Sequence, residues 1–279
     1  MNLSINPRHF MDAAIWEEKR TIFEAVALLN EAGFSHFDLE AETEAEAEKL
    51  AEYLKEKNLS VIQSHMPFNR YKRIDNELFR KNVMAYAKNA KIMDSKILVV
   101  HGDEYDYKNQ PYSSAAALEH NYRFFYDLVD YASANGMRVA FENTFQEATM
   151  TIKPHFSALT DDLLALLDRY KTDTVGICWD TGHAKVQYGE RDIDALKLVA
   201  DKVICTHIHD NYSNQDLHGF PFTGSIHWKK FMQTLNDIGY KGDLSFEFVY
   251  DRLPKALALD YLKLIYRTGE YLLHEINVT

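Results

Sequence analysis

"ICWDTGHAKVQYG" occupies residues 177–189, and its reading decides the fold. An apolar run ends at Asp180, and His183 follows three residues later, past Thr181 and Gly182. A short strand that is nearly all apolar has both faces covered, as in a parallel sheet wrapped by helices. The carboxylate and imidazole at its end belong either to a turn that happens to be polar or to a site. Whether other apolar runs end the same way separates the two readings.

They do. In chain order the apolar runs are NLSI (2–5), HFDLE (36–40), SVIQSH (60–65), KILVVH (96–101), RVAFEN (138–143), TVGICWD (174–180), KVICTHIHD (202–210) and DLSFEF (243–248). Amphipathic stretches read as helices alternate with them: 16–33, stopped by Gly33; 42–58; 76–93; 113–135, stopped near Gly136; 158–170; 191–200; 228–238; and 254–273. Eight βα units in 279 residues predict an α/β fold, a (β/α)8 TIM barrel forming a single domain over residues 1–279. An open doubly wound sheet is the alternative, weakened because no Gly-rich dinucleotide loop follows any strand.

Composition agrees. Hydrophobic residues make up 46% of the chain, enough for a sizeable core, and 26% are charged, which argues against disorder. Only 11 Gly and 6 Pro occur, too few for a sandwich of many short strands and turns. The formal charge of −11 is opposite in sign to the footprint of a protein that grips a phosphate backbone, so a nucleic-acid partner is not expected. Cys178 and Cys205 both fall in strands and read as buried thiols of a reducing compartment, not a disulfide. The opening MNLSINPRHFMDAAIWEEKR shows no basic leader followed by an apolar segment. No run of about 18 apolar residues suggests a membrane span, and a cytoplasmic protein is expected.

In a parallel barrel the site lies at the C-terminal ends of the strands. The third strand ends at His65, the fourth at His101, the fifth at Glu142 and the sixth at Asp180, with His183 beyond. The seventh carries His207 and His209, and the eighth Glu247. One histidine or glutamate at a strand end is commonly structural, held by a hydrogen bond or an ion pair. Six consecutive strands ending this way point to a shared site. Glu142 and Glu247 stand among phenylalanines, where a carboxylate is costly unless paired or metal-bound. His207 and His209 are two apart, so on a strand they face the same way. Oxygen and imidazole donors without thiolate suit Mn²⁺, Mg²⁺, Fe²⁺, Co²⁺ or Zn²⁺.

Other residues read more plainly. His9, His120, His155 and His274 are expected on the surface, and the acidic run 40–49 as a solvated helix face. Trp16 and Trp179 fit sugar stacking or core packing equally. Asp38 and Glu40 follow the second strand and could reach a ligand, although salt bridges are expected. His227 reads as a residue of a helix cap. Arg70, Lys72 and Arg73 form a basic cluster suited to a substrate phosphate or to a solvated loop.

The motifs SHMPFN, VVHG, FENT, WDTGHA, HIHDN with the following DLHGFPFTGSIHW, and SFEF resemble the xylose isomerase-like barrel superfamily over about residues 30–250. That superfamily holds sugar and sugar-phosphate isomerases and epimerases, inosose dehydratases and AP-endonuclease-type repair enzymes. The resemblance implies one divalent metal held by Glu142, Asp180, His207 and Glu247, with His209 in reserve because some epimerases carry H-x-H there. It implies that His183 contacts substrate or a further metal. His65, His101, Asp216 and His218 match positions that carry additional zinc in the repair enzymes, so a second or third metal stays open. In the sugar reading these four, with His183 and His209, are candidate substrate contacts. Glu142 and Glu247 would be the acid and base of a reaction on a small sugar or sugar phosphate. Barrels of this kind often pair. A binding protein with a degenerate site would lack some of these ligands, and none is missing. One departure stands out: Thr223 occupies the first glycine position of the family's Gly-x-Gly before the eighth helix.

Overall fold

The computed structural model describes residues 1–11, 19–69, 75–103, 113–146, 156–212, 215–248 and 254–274. Eight parallel strands close into a barrel in chain order: β1 (Leu3–Ile5), β2 (His36–Asp38), β3 (Ser60–His65), β4 (Ile97–Val100), β5 (Arg138–Glu142), β6 (Val175–Asp180), β7 (Val203–Ile208) and β8 (Leu244–Phe246). β8 pairs back onto β1 through Leu244 with Leu3 and Phe246 with Ile5. The chain is a single-domain (β/α)8 barrel, as the alternation of patterns predicts.

Helices α1 (Ile22–Ala32), α2 (Glu44–Lys57) and α3 (Asn76–Ile92) follow the first three strands. The expected start of the first helix at residue 16 falls partly outside the described residues, and α1 opens at a capping box. The Thr21 hydroxyl accepts from Glu24 N, and the Glu24 carboxylate accepts from Thr21 N at 2.7 Å. The single helix expected over 113–135 is two, α4 (Ser114–Phe124) and α5 (Tyr126–Ala134), broken at Phe125. Phe124 packs on Phe79 and Phe125 on Phe141. Adjacent positions on a straight helix diverge by about 100°, and the break lets both rings face the core.

After α6 (Thr160–Tyr170) and β6 comes a second correction. Residues expected as a polar loop form helix α7 (Thr181–Tyr188), and Asp180 is its N-cap, accepting from His183 N at 2.6 Å. A carboxylate is a favoured cap because it satisfies an N–H that the first turn leaves free. Helices α8 (Asp192–Leu198), α9 (Trp228–Asp237) and α10 (Ala258–His274) complete the ring. Among the described residues no helix is long and apolar enough to cross a membrane.

Strand periodicity builds the site. Between strands and helices lies the main core, with Phe37, Leu98, Val139, Ile177 and Phe246 fully buried. Inside the barrel a small separate layer comprises Val99, Ala140, Cys178 and Cys205, and both cysteines are free and buried. Two residues further along those four strands stand His101, Glu142, Asp180 and His207. Because side chains alternate with period two, the apolar layer is the floor and these four groups are the next layer up.

Candidate metal centre

The mouth of the barrel encloses a cavity of about 510 Å³, lined among others by His65, His101, Glu142, His183, Asp216, His218 and Glu247. Beneath it lie Asp180, His207 and His209, all fully buried. Every site residue expected from the sequence therefore comes to one place. Among the described residues three groups each offer ligand atoms within 4.8 Å of one another: Glu142, Asp180, His207 and Glu247; His65, Glu142 and His207, which shares two members with the first; and, separately, His183, His209, Asp216 and His218.

The hydrogen bonds behind these groups fit metal ligation. A ligating histidine gives its remaining N–H to a carbonyl or carboxylate, which fixes the tautomer and aims the other nitrogen. His207 donates Nε2–H to Asp38 Oδ2 at 3.1 Å. Its Nδ1 then lies 3.2 Å from Glu142 Oε1 and 3.1 Å from Glu247 Oε2. His65 donates from Nδ1 to the Met66 carbonyl at 2.8 Å, and its Nε2 faces Glu142 Oε2 at 3.2 Å. His183 donates from Nδ1 to the Asn143 carbonyl at 2.9 Å, leaving Nε2 3.5 Å from Asp216 Oδ2. His218 donates from Nδ1 to the Glu247 carbonyl at 3.3 Å, and its Nε2 is 3.3 Å from the same Asp216 oxygen. His101 Nε2 lies 3.1 Å from Glu142 Oε2.

Buried polar atoms that form ion-pair contacts at most and no hydrogen bond include Glu142 Oε1, His207 Nδ1 and Asp216 Oδ1. Leaving such atoms unmatched in a dry interior is costly. A divalent cation in the carboxylate-rich group would satisfy Glu142 Oε1 and His207 Nδ1, and one in the His183, Asp216 and His218 group would satisfy Asp216 Oδ1, so the residues present fit the metal that the donor chemistry implies.

Electrostatics point the same way. Burial works against the charge of Glu142, but His207, His101 and His183 outweigh it and hold the carboxyl well below the usual range. Burial likewise opposes Glu247, and His207 and His218 pull it far down. On the imidazole side burial lowers His101. It is outweighed at His65, raised to about 9 by Glu142, and at His218, raised to about 9 chiefly by Asp216. With no metal bound, protonated imidazoles balance the ionised carboxylates, His183 and His207 being raised well above the usual imidazole range, and a cation would take over that positive charge.

The third group is carried by the segment after β7. The Asp210 carboxylate accepts from Asn211 N at 2.9 Å, Phe222 N at 3.0 Å, Ile226 N at 3.2 Å and the Trp228 indole at 2.9 Å. Asn211 Oδ1 accepts from Leu217 N at 2.6 Å. These bonds fold the chain back so that Asp216 and His218 face His183. His218 takes φ of 46°, a left-handed conformation that is strained for a non-glycine residue and typical of functional sites. Gly224 permits the close approach, since a Cβ there would overlap Asp210. Thr223, the departure noted in the sequence, has no left-handed φ, so no glycine is required at that position.

Several expectations change. His9 is not a surface residue: it lines the cavity, and burial lowers its pKa against the pull of Glu247. His120 is half-buried, with Nε2 2.6 Å from Asp103 Oδ2. Among the described residues Asp38 makes no salt bridge to Lys or Arg; it orients His207 and accepts from Gln63 at 3.0 Å. The signal for it was available, because it ends β2 as the other site residues end their strands. Glu40 does pair with Arg8, at 2.8 Å, and also lines the cavity. Trp179 is core, His274 is exposed, and His227 stands at the N-cap of α9. Trp16, Arg70, Lys72, Arg73 and His155 lie outside the described residues.

A closed parallel barrel with convergent carboxylates and imidazoles at its C-terminal mouth defines a class: metal-competent (β/α)8 proteins. More narrowly, the chain belongs to the xylose isomerase-like TIM barrel family, whose model matches residues 23–267. It is 36% identical over 88 residues to the uncharacterized protein y4fM of Sinorhizobium fredii, covering 31% of this chain and 28% of that one. It is 25% identical over 181 residues to the uncharacterized protein MJ1311 of Methanocaldococcus jannaschii, covering 62% of this chain and 58% of the relative. The match thus spans only about a quarter and somewhat over half of these relatives' lengths. Among solved structures, a D-tagatose 3-epimerase-like protein superposes with a TM-score of 0.76 at 20% identity, covering 99% of both chains. An AP endonuclease family 2 protein from Brucella melitensis gives 0.70 at 19%, covering 93% of this chain and 97% of the other. The IOLI protein with a bound zinc atom gives 0.76 at 15%, covering 100% of both. At these identities the likeness is one of fold.

Proposed function

We propose that this chain is a divalent-metal-dependent isomerase or epimerase of a sugar or sugar phosphate. The observation that carries the reading is the convergence of Glu142, Asp180 and His207, from three strands, and Glu247, directly after a fourth, with ligand atoms within 4.8 Å of one another. The epimerase-like neighbour and the zinc-bearing IOLI neighbour support it. The ion when bound would act as a Lewis acid on a carbonyl and its neighbouring hydroxyl, making the α proton easier to remove. Oxygen-rich donors suit Mn²⁺, Mg²⁺ or Fe²⁺, and zinc also accepts such ligands.

The chain's own residues handle the proton. Glu142 and Glu247, flanking His207 Nδ1, take it up and return it, one as base and the other as acid. With no metal bound the surrounding histidines outweigh burial and favour the ionised form of both, so either can start as the base; the one that acts as acid must first gain a proton, and the pair carries that one proton again after each turnover. His101 and His183, on the cavity wall, donate hydrogen bonds to substrate oxygens. Phe68 stacks on His101 at 4.8 Å and offers an apolar face to a sugar ring. The test is exchange of substrate hydrogen with D₂O, followed by NMR across a panel of ketoses. Glu142→Gln and Glu247→Gln are expected to slow exchange by about 10²–10⁴-fold. Full retention in both variants would remove the two-glutamate scheme.

A second reading, a metal-dependent phosphodiesterase, is favoured by the other donor groups around His65 and around Asp216. A polyol or inosose dehydratase would use the same carboxylate ligands. Elemental analysis separates the first two: three zinc ions per chain with phosphodiester cleavage supports hydrolysis, and one metal with ketose exchange supports the sugar reaction.

A further inference from the structure

We propose that His209 is the positioning residue of the carboxylate-rich group, holding Asp180 from behind, and that Thr181 and Gly182 exist in this sequence to seat it. The motifs DTGH and HIHDN then form one device across β6 and β7. The inference concerns Asp180 as a ligand and stands apart from the choice of substrate.

Four observations carry it. The His209 side chain is fully buried, and its Nε2 lies 3.0 Å from Asp180 Oδ2. Its backbone is clamped by a single hydroxyl: Thr181 Oγ1 donates to the His209 carbonyl at 2.7 Å and accepts from His209 N at 3.1 Å. Gly182 leaves the space for the ring, since a Cβ there would overlap His209 Cε1 and Nδ1. One face of the ring is covered by His218, stacked at 4.1 Å with an interplanar angle of 11°.

The alternative is that His209 is a fourth ligand beside His183, Asp216 and His218, a group it could join by distance. The pattern of hydrogen bonds argues against it. His207, His65, His183 and His218 each give one ring N–H to an acceptor outside their donor group and turn the other nitrogen inward. His209 does the reverse. Its Nδ1 is buried with no partner, and its Nε2 is already spent on Asp180. Ligation through Nε2 would require the proton on Nδ1, where nothing accepts it, and a buried orphan N–H is costly. The tautomer with hydrogen on Nε2 satisfies its single donor and leaves only a lone pair unmatched. Asp180 is then held at both oxygens: Oδ1 by His183 N at 2.6 Å and Oδ2 by His209. A carboxylate fixed this way enters the metal's shell without paying to be ordered.

The experiment measures metal affinity, not turnover. Metal-loaded protein is titrated with a competing chelator, and anomalous diffraction reports which donor group empties. His209→Leu is expected to weaken binding at the Glu142, Asp180, His207 and Glu247 group about 10–100-fold, with His209→Gln, which keeps an N–H donor, recovering most of it. Gly182→Ala should reproduce the defect by displacing the ring, and Gly182→Ala with His209→Leu should be no worse than His209→Leu alone. Circular dichroism and thermal melting confirm that each variant is folded. Unchanged affinity in His209→Leu overturns the proposal. So does selective loss of metal at the His183, Asp216 and His218 group, which would make His209 a ligand. Metal bound at the carboxylate group without any ketose exchange would remove the sugar reading and leave this one standing.

Discussion

Two metal-competent groups meet at the barrel mouth, and they are built differently. Glu142, Asp180 and His207 sit on strands, with Glu247 directly after β8, so their positions follow from the sheet register. His183, Asp216 and His218 sit on the first turn of a helix and on a long segment after β7. Nothing in the barrel's register places Asp216 and His218. The Asp210 carboxylate contributes most, by collecting four donors from that segment and the following helix, and the Asp210–Gly219 backbone pair and Asn211 Oδ1 add to it. The strand-borne group follows the sheet, whereas the loop-borne group depends on the Asp210 carboxylate together with the Asp210–Gly219 backbone pair and the Asn211 side chain.

That contrast can be broken most sharply at Asp210. Asp210→Ala leaves several buried donors unmatched, each costing about 1–3 kcal/mol. Stability in urea is expected to fall by at least about 3 kcal/mol. Metal should be lost from the His183, Asp216 and His218 group, while the strand-borne group keeps its own. Equal loss from both groups in anomalous maps would show that they are not independent.

A smaller effect tests the strand-borne side. Asp38→Asn removes the anion that fixes the His207 tautomer, and metal affinity there should drop about 10–100-fold with the other group unaffected. An unchanged chelator titration would mean that packing alone orients His207.

The smallest effect is in pH. In the metal-free protein His65 and His218 are raised from 6.5 to about 9, because Glu142 and Asp216 outweigh burial. The fold favours their protonated forms. The stability they contribute is therefore complete below pH 6.5 and is lost as pH rises through about 9. The melting temperature of metal-free protein should decline across that window. Metal loading should tighten over the same range, since a ligand imidazole must be neutral. A flat melting profile from pH 6 to 9.5 would contradict the charge assignment.

The strands were legible because each is an apolar run closed by a polar residue, and period two then aligns His101, Glu142, Asp180 and His207 above an apolar floor. Helix α7 was not legible. Its eight residues carry a glycine and little amphipathic contrast, and its start depends on Asp180 acting as cap and site residue together. The break at Phe125 was hidden for a similar reason, since two adjacent phenylalanines fit any helical pattern until their partners Phe79 and Phe141 are known. His9 looked like a surface residue because its segment is short and polar, and only barrel closure turns it into the cavity.

By itself the sequence determined the barrel and the identity of the groups at its mouth, because hydrophobic periodicity is a local property and strand ends in a parallel barrel converge of necessity. The tertiary structure alone decided which nitrogen of each histidine points inward, which carboxylate is shared and which residues stand behind the ligands. Those choices depend on hydrogen bonds between residues such as His207 and Asp38, or His183 and Asn143, that are far apart in the chain and meet only when the barrel closes.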